Sequence, residues 1–311
     1  MAVALAAVLP LALTAGCATG VGTTAGGSPS TTSTTDGVLV PDPTSVVVLE
    51  GRRDLDVVLS LGLPLRGFPY EEDGALDLPS PLAEELAAVR QEGAEPLFLA
   101  DEVNVEAIAA AAPDLVVGRA EDAEPVTPQL EAFTTVLPIG DQTSSTWQED
   151  LRLVAAATGA PERAELLVDA YEERVADIAE EYADVLAETT VAPVSINEEG
   201  SEIGVDRLLT TVLLDVGVTP SEAFAEALEE DEDVSFGPEQ LLQAFGDADA
   251  LVVLVNQPGT WDGVQADPLY QQLPAVQQGH VVRSDKQTHE GAALTAMQSL
   301  DVLEQLLSTV R

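Results

Sequence analysis

Cysteine occurs once in the 311 residues and histidine twice. A single cysteine excludes an internal disulfide. Two histidines exclude a three-histidine zinc centre and argue against a carrier of bare manganese or zinc. Aromatic residues make up only 4% of the chain, so its core has to be built from alanine, valine and leucine. Basic residues are scarce, 12 against 55 acidic ones, for a formal net charge of −43. Such a surface repels phosphate, which argues against a nucleic-acid partner and against docking on anionic lipid through a basic patch. The patterns G-x-S-x-G, H-E-x-x-H, G-x-x-x-x-G-K-[ST] and G-x-G-x-x-G are all missing, so no enzyme and no resident cofactor or metal is expected. The run Glu229-Glu230-Asp231-Glu232-Asp233 lacks the spacing of a calcium loop and reads as a solvated acidic loop.

Apolar residues account for 46% of the chain, enough to bury a core. Residues 2–13 are an apolar run, shorter than the roughly 20 residues of a bilayer-crossing helix and of the length of a secretory signal core. The run ends in Leu13-Thr14-Ala15-Gly16-Cys17. Small residues ahead of a lone cysteine resemble a bacterial lipoprotein signal, which implies cleavage after residue 16 and a lipid on Cys17. From Ala18 to Asp36 the chain is almost entirely Gly, Ser, Thr and Ala, a flexible tether by composition. The expectation is a signal peptide over 1–16 and a lipid-anchored linker over 17–40. A folded domain would then be held outside the membrane.

Beyond the linker, short β-branched strands alternate with helices. Strands are expected at Val46–Leu49, Pro64–Phe68, Leu115–Gly118 and Thr135–Ile139. Helices are expected at Leu55–Gly62, Pro81–Glu92, Val103–Ala112 and Pro128–Ala132. This alternation predicts right-handed crossovers and a parallel sheet. A helix at Trp147–Thr158 follows. Then Glu162 to Glu188 contains no Gly or Pro and keeps helical spacing; as one helix it would be about 40 Å long, a strut between two lobes. The alternation then restarts, with strands at Val191–Ile196, Ala250–Val255 and His280–Arg283. Helices are expected at Val205–Val216, Pro238–Phe245 and Gly291–Val310, with a helical turn at Asp267–Leu273. The fold class is therefore α/β. A first lobe spans 41–145, a helical connector 146–189 and a second lobe 190–311, both lobes with parallel-type sheets and a ligand cleft between them.

Several blocks, in order, carry a family resemblance. They are 46–62; Asn104-Val105-Glu106-Ala107-Ile108 with Ala112-Pro113-Asp114-Leu115-Val116-Val117-Gly118; Thr135-Val136-Leu137-Pro138; and 147–164. Gly237-Pro238-Glu239-Gln240-Leu241, Asp267-Pro268-Leu269-Tyr270, Leu273-Pro274-Ala275-Val276 and Gly279-His280-Val281 follow. Together they resemble the extracytoplasmic substrate-binding proteins of ABC importers for iron–siderophore complexes, cobalamin and haem. The resemblance implies a monomeric protein that holds a ferric siderophore between two lobes of nearly fixed angle and delivers it to a permease dimer. Cobalamin or haem is the alternative cargo, and a tethered sensor with no importer the alternative of another class.

The same resemblance implies that Glu106 and Glu239, one per lobe and each in the first turn of a helix, meet arginines of the permease. A carboxylate there also stabilises its own helix. For the ligand, cations at strand ends stand out: Arg52 and Arg53 after the first strand, Arg119 after Leu115–Gly118, and Arg283 and Lys286 after the strand at His280. A guanidinium offers a planar fork of donors to chelate oxygens. Trp261, read as lying in the loop after Ala250–Val255, and Tyr70 supply flat apolar walls. His289, in a loop before the last helix, is a further candidate for the ligand or for haem iron.

Overall fold

Three consecutive valines, Val46–Val48, form the strand β1 and are wholly buried. Strand geometry sends alternate side chains to opposite faces. Val46 and Val48 accordingly enter one core while Val47 and Leu49 enter another. The computed structural model describes residues 39–71, 78–100, 102–141, 143–197, 199–256 and 258–311. The expected signal, Cys17 and the tether through residue 38 lie outside the described residues.

The first sheet is built on β1. The chain continues through α1 (Arg53–Ser60), β2 (Leu65–Tyr70), α2 (Pro81–Glu92), β3 (Glu95–Leu99), α3 (Val105–Ala111) and β4 (Leu115–Arg119). Two single-turn helices, α4 (Ala120–Ala123) and α5 (Thr127–Leu130), lead to β5 (Thr135–Ile139). The strand order is β3-β2-β1-β4-β5, all parallel. Helix ends follow local chemistry. Ser80 and Asn104 each accept a backbone N–H from the first turn of α2 and α3, at 3.0 Å in both cases. Gly93 closes α2 in the left-handed conformation, φ 114°.

Three helices connect the sheets: α6 (Trp147–Thr158), α7 (Pro161–Glu181) and α8 (Ala183–Glu188). Thr146 and Glu149 form a reciprocal capping box at the start of α6. The expected single strut over 162–188 is corrected here. It is interrupted at Tyr182, whose φ of −106° and ψ of 18° leave the helical region. The 21 residues of α7 span about 32 Å. Its inner face packs through Ala164, Val168, Tyr171 and Ile178.

The second sheet begins with β6 (Thr190–Asn197) and its hairpin partner β7 (Gly200–Ile203), followed by α9 (Leu208–Val216), β8 (Thr219–Pro220), α10 (Glu222–Glu230) and β9 (Val234–Phe236). A 3-10 turn at Pro238–Gln240 opens α11 (Leu241–Phe245), and then come β10 (Ala250–Leu254), α12 (Pro258–Ala266), α13 (Pro274–Gln278), β11 (Val281–Ser284) and α14 (Ala293–Val310). The order is β11-β10-β6-β7-β9, with β8 also on β6. β7 runs antiparallel to both neighbours, so this sheet is mixed rather than parallel throughout. The acidic run is not all loop. Glu229 and Glu230 end α10, and Asp231 terminates it with φ 56°.

One hydrophobic core runs through both lobes, from Val46 and Leu55 through Trp147, Tyr171 and Leu213 to Leu300 and Leu307. Two buried polar contacts tie the elements together on the spine side. Arg53 pairs with Asp150 of α6 at 2.9 Å, both nearly inaccessible. The Asp56 carboxylate on α1 accepts the N–H groups of Ala292, Leu294 and Thr295 at 2.7, 3.1 and 2.9 Å. It thereby caps α14 from an element that precedes it by more than two hundred residues.

Candidate functional site

In open α/β sheets ligands settle outside the carboxyl ends of the strands, where the strand order reverses. In the first sheet that point lies between β1 and β4, and in the second between β6 and β10. Both points carry a crevice. The first has a volume of about 770 Å³ and is lined by Leu49 and Glu50 after β1, by Glu102, Asn104 and Glu106 around the start of α3, and by Glu121 and Asp122 after β4. The second, about 450 Å³, is lined by Asn197, Leu241, Gly259, Thr260, Val264 and Tyr270 among others.

The segment after β11 joins the strand ends of the two sheets. Lys286 pairs with Glu71 at the end of β2. The Gln287 side chain bonds Ser80 and the carbonyl of Leu78. Glu290 lies 3.6 Å from both Arg52 and Arg119. The carboxyl ends of β2 and β11 therefore meet, and the strand-end surfaces of the two lobes share one floor.

Of the residues singled out in the sequence, Arg52, Arg119, Lys286 and His289 come together on this floor. Arg52 is half exposed and approaches Glu50 at 3.5 Å and Glu71 at 3.6 Å. Arg119 is held by Glu121 at 3.2 Å and Asp122 at 3.0 Å. Tyr70 ends β2 with its ring half exposed. Arg283 stacks its guanidinium 5.7 Å from the Trp261 ring and donates to the Val255 carbonyl at 3.1 Å. Trp261 lies on α12 rather than in a loop, edge-on to Tyr270 at 6.2 Å. Arg53 is not on the floor. It is 3% exposed, and its guanidinium donates to Asp150 and to the Ser145 carbonyl. The first turn of α1 faces it inward, where it serves the spine rather than the floor.

Four acids were not anticipated: Glu50, Asp54, Glu71 and Glu290. Asp54 accepts N–H groups from Leu49, Glu50, Gly51 and Leu55 at 2.7–2.8 Å. Burial pushes its carboxyl up, and those four donors pull it down. Glu50 accepts the N–H groups of Arg52 and Arg53 at 3.0 and 3.2 Å. Burial, then the charges of Asp54 and Glu290, push it up to about 9 against the pull of Arg119 and Arg52. Glu50 therefore carries a proton at neutral pH. For Glu71 partial burial raises the carboxyl, but the Lys286 hydrogen bond and charge, with Arg52, outweigh it and hold it below its ordinary value. That Glu50 precedes Arg52 by two residues, and that Glu71 follows the strand end at Tyr70, is visible in the sequence. Their pairing with residues near 290 is not.

His289 bonds Arg207 through Nδ1 at 3.0 Å. A guanidinium only donates, so Nδ1 accepts and the ring proton sits on Nε2. That Nε2 is buried without a hydrogen-bond partner. Burial, then Arg207, Arg52 and Lys286, bring the ring down to about 3, so it stays neutral. Glu106 and Glu239 are both exposed. Glu106 starts α3 after β3, and Glu239 sits in the 3-10 turn after β9. Because β9 runs in the direction of β6, both acids stand at strand-end surfaces.

Two α/β lobes, a helical spine and a crevice at each strand-order reversal define a two-lobed solute-binding protein, a scaffold for capturing a small molecule between strand ends. More particularly, the chain belongs to the periplasmic binding protein family, whose profile matches residues 97–288. The iron-uptake system-binding protein of Bacillus subtilis is 24% identical over 195 residues, 60% of this chain, and the match spans only 60% of that relative's length. The siderophore periplasmic binding protein from the fuscachelin gene cluster of Thermobifida fusca superposes with a TM-score of 0.70, at 26% identity, over 86% of this chain and 97% of that one. FeuA of Bacillus subtilis, a triscatecholate siderophore binding protein complexed with ferri-bacillibactin, has the same fold. It superposes with a TM-score of 0.68 at 18% identity over 88% and 94% of the chains. Among the described residues no helix is long and apolar enough to cross a membrane, and no group of three or more potential ligands is placed to hold a metal ion.

Proposed function

We propose that this chain is the extracytoplasmic solute-binding lipoprotein of an ABC importer, and that its solute is a ferric siderophore held between the two lobes. The observation that carries this reading is the cluster of Arg52, Arg119, Lys286 and His289 where the carboxyl ends of β2 and β11 meet. The iron-uptake and siderophore-binding relatives support it. A bulky chelate suits the site, because the continuous core and the Asp56 cap leave the lobes little freedom to close over a small ion. In this reading residues 1–16 are removed, Cys17 is lipidated and residues 17–40 tether the domain. The lobes divide at 41–145 and 190–311 about the connector 146–189. Glu106 and Glu239 present one carboxylate per lobe to arginines of the permease.

The test is a fluorescence titration of the purified protein with catecholate, hydroxamate and citrate complexes of iron, and with cobalamin and haem. Trp261, stacked on Arg283, is the reporter. Saturable quenching by one class of ferric complex is expected. Binding of cobalamin or haem alone would move the protein to that cargo, and binding of none would favour a sensor without an importer.

A further inference from the structure

The chemistry of the floor says which ferric chelate it suits. We propose that the site selects ferric complexes with no net negative charge, the trishydroxamate class, and discriminates against polyanionic catecholate and carboxylate complexes. This rests on the siderophore reading above.

The first observation is that no cation of the floor stands without a carboxylate. Arg52, Arg119 and Lys286 between them contact five acids of the protein itself: Glu50, Glu71, Glu121, Asp122 and Glu290. Even with Glu50 protonated, the acids outnumber the cations. Arg207, the next cation along, is matched by Glu202 and Asp233, and Arg283 is engaged with the Trp261 face and the Val255 carbonyl. A trianionic complex would have to displace protein carboxylates from each arginine and leave them facing one another in a half-buried site.

The second observation is the surroundings. Asp206 of the second lobe is pushed above its ordinary value by burial, then by Asp233, Asp231 and Asp141, the last of these from the first lobe. Asp206 thus meets acids from both lobes, against the single opposing pull of Arg207. The crevice itself adds Glu102. The whole chain, at −43, slows the approach of anions and favours cations.

The third observation is that the donor left over is neutral. His289 Nε2–H is buried without a partner and uncharged. The neutral ring adds no positive charge to the floor for an anion to meet. Tyr70, half exposed, adds an apolar face.

The experiment compares ferrioxamine B, a trishydroxamate complex that carries one positive charge, with ferri-bacillibactin, a triscatecholate trianion, by tryptophan fluorescence on the whole purified protein at low and high salt. Ferrioxamine B is expected to bind at least about tenfold more tightly at low salt. Salt should narrow that ratio, weakening the cation and strengthening the trianion by screening. Glu71→Gln and Glu290→Gln should each raise affinity for the trianion about threefold or more, with an unchanged circular dichroism spectrum. If either variant fails to fold, the salt comparison on the unaltered protein decides. Equal or tighter binding of the trianion at low salt overturns the charge selection and leaves the siderophore reading standing. Binding of neither complex, with cobalamin or haem bound instead, overturns the siderophore reading and this inference with it.

Discussion

Arg52 and Arg53 are neighbours in the chain and belong to two different regions of the molecule. Arg53 points into the spine, where its pair with Asp150 is short and closed to solvent. Arg52 points to the strand-end floor, half exposed, with three acids at 3.5–3.6 Å. The same contrast holds for the acids. Asp56 on the spine side accepts three backbone N–H groups at 3.1 Å or less, whereas Glu290 on the floor lies 3.6 Å from two arginines. Tight, dry pairs fix the frame, since breaking one strands a buried charge. Longer pairs around a half-exposed cation contribute less to stability and exchange partners more readily. That is what a surface receiving a ligand requires.

Substitutions on the two sides should part company sharply. Arg53→Ala leaves Asp150 buried beside only neutral partners, and urea unfolding should register a loss of about 3–5 kcal/mol. An unchanged midpoint would erase the distinction between the regions. Asp56→Ala removes the acceptor of three N–H groups, each costing about 1–3 kcal/mol when buried unpaired, so a loss of about 3 kcal/mol or more is expected. A crystal structure of that variant should show the first turn of α14 displaced.

Glu50 lies at the border of the two regions and carries a pH signature. Its folded-state value of about 9 stands above its ordinary 4.5, so between those limits the folded protein holds a proton that the unfolded chain releases. Its contribution to stability is therefore full below about pH 4.5 and is lost as pH rises towards about 9. Glu50→Gln should flatten that decline and make the variant more stable than the parent at about pH 8. Denaturant titrations across the range measure the slope, and a variant that keeps the parent's slope contradicts the assignment.

Arg52→Ala, on the exposed side, should cost about 0–1 kcal/mol of stability while changing the affinity for a ferric complex. A stability loss equal to that of Arg53→Ala would place both arginines in the frame. The smallest structural effect belongs to Glu106→Ala with Glu239→Ala. Unfolding should be unaltered, and import by the intact transporter should fall much further than ligand affinity. Collapse of ligand affinity would move these acids from docking to the site.

The parts of this division that the sequence reveals are those written in short stretches. Val46–Val48 and Ala250–Leu254 are apolar runs that read as buried strands, and Ser80-Pro81 and Thr146 announce their helices. What escaped is either polar or non-local. β7 is Gly-Ser-Glu-Ile and β9 only three residues; β7 exists by hairpin pairing with β6, and β9 by pairing in turn with β7. β3 opens on Glu95-Pro96 and lies at the sheet edge, where a strand tolerates proline. α12 contains two glycines and follows a strand directly, so it reads as loop. The break at Tyr182 has no Gly or Pro to mark it. On the floor, the cations show as isolated basic residues at strand ends. Glu50 and Glu290 reach the same arginines from opposite ends of the chain, and no local spacing encodes that meeting. Nor does the sequence separate Arg52 from Arg53, because one residue of helical rotation decides which faces the core.

The amides that Asp56 receives belong to residues 292–295, and within its own helix only the Ser60 hydroxyl bonds it. During synthesis, therefore, the first lobe can collapse but cannot settle this fully buried acid until almost three hundred residues have appeared. Vectorial, piecewise maturation is blocked by this one long-range dependency. A nascent chain so wired locks only when its final helix arrives.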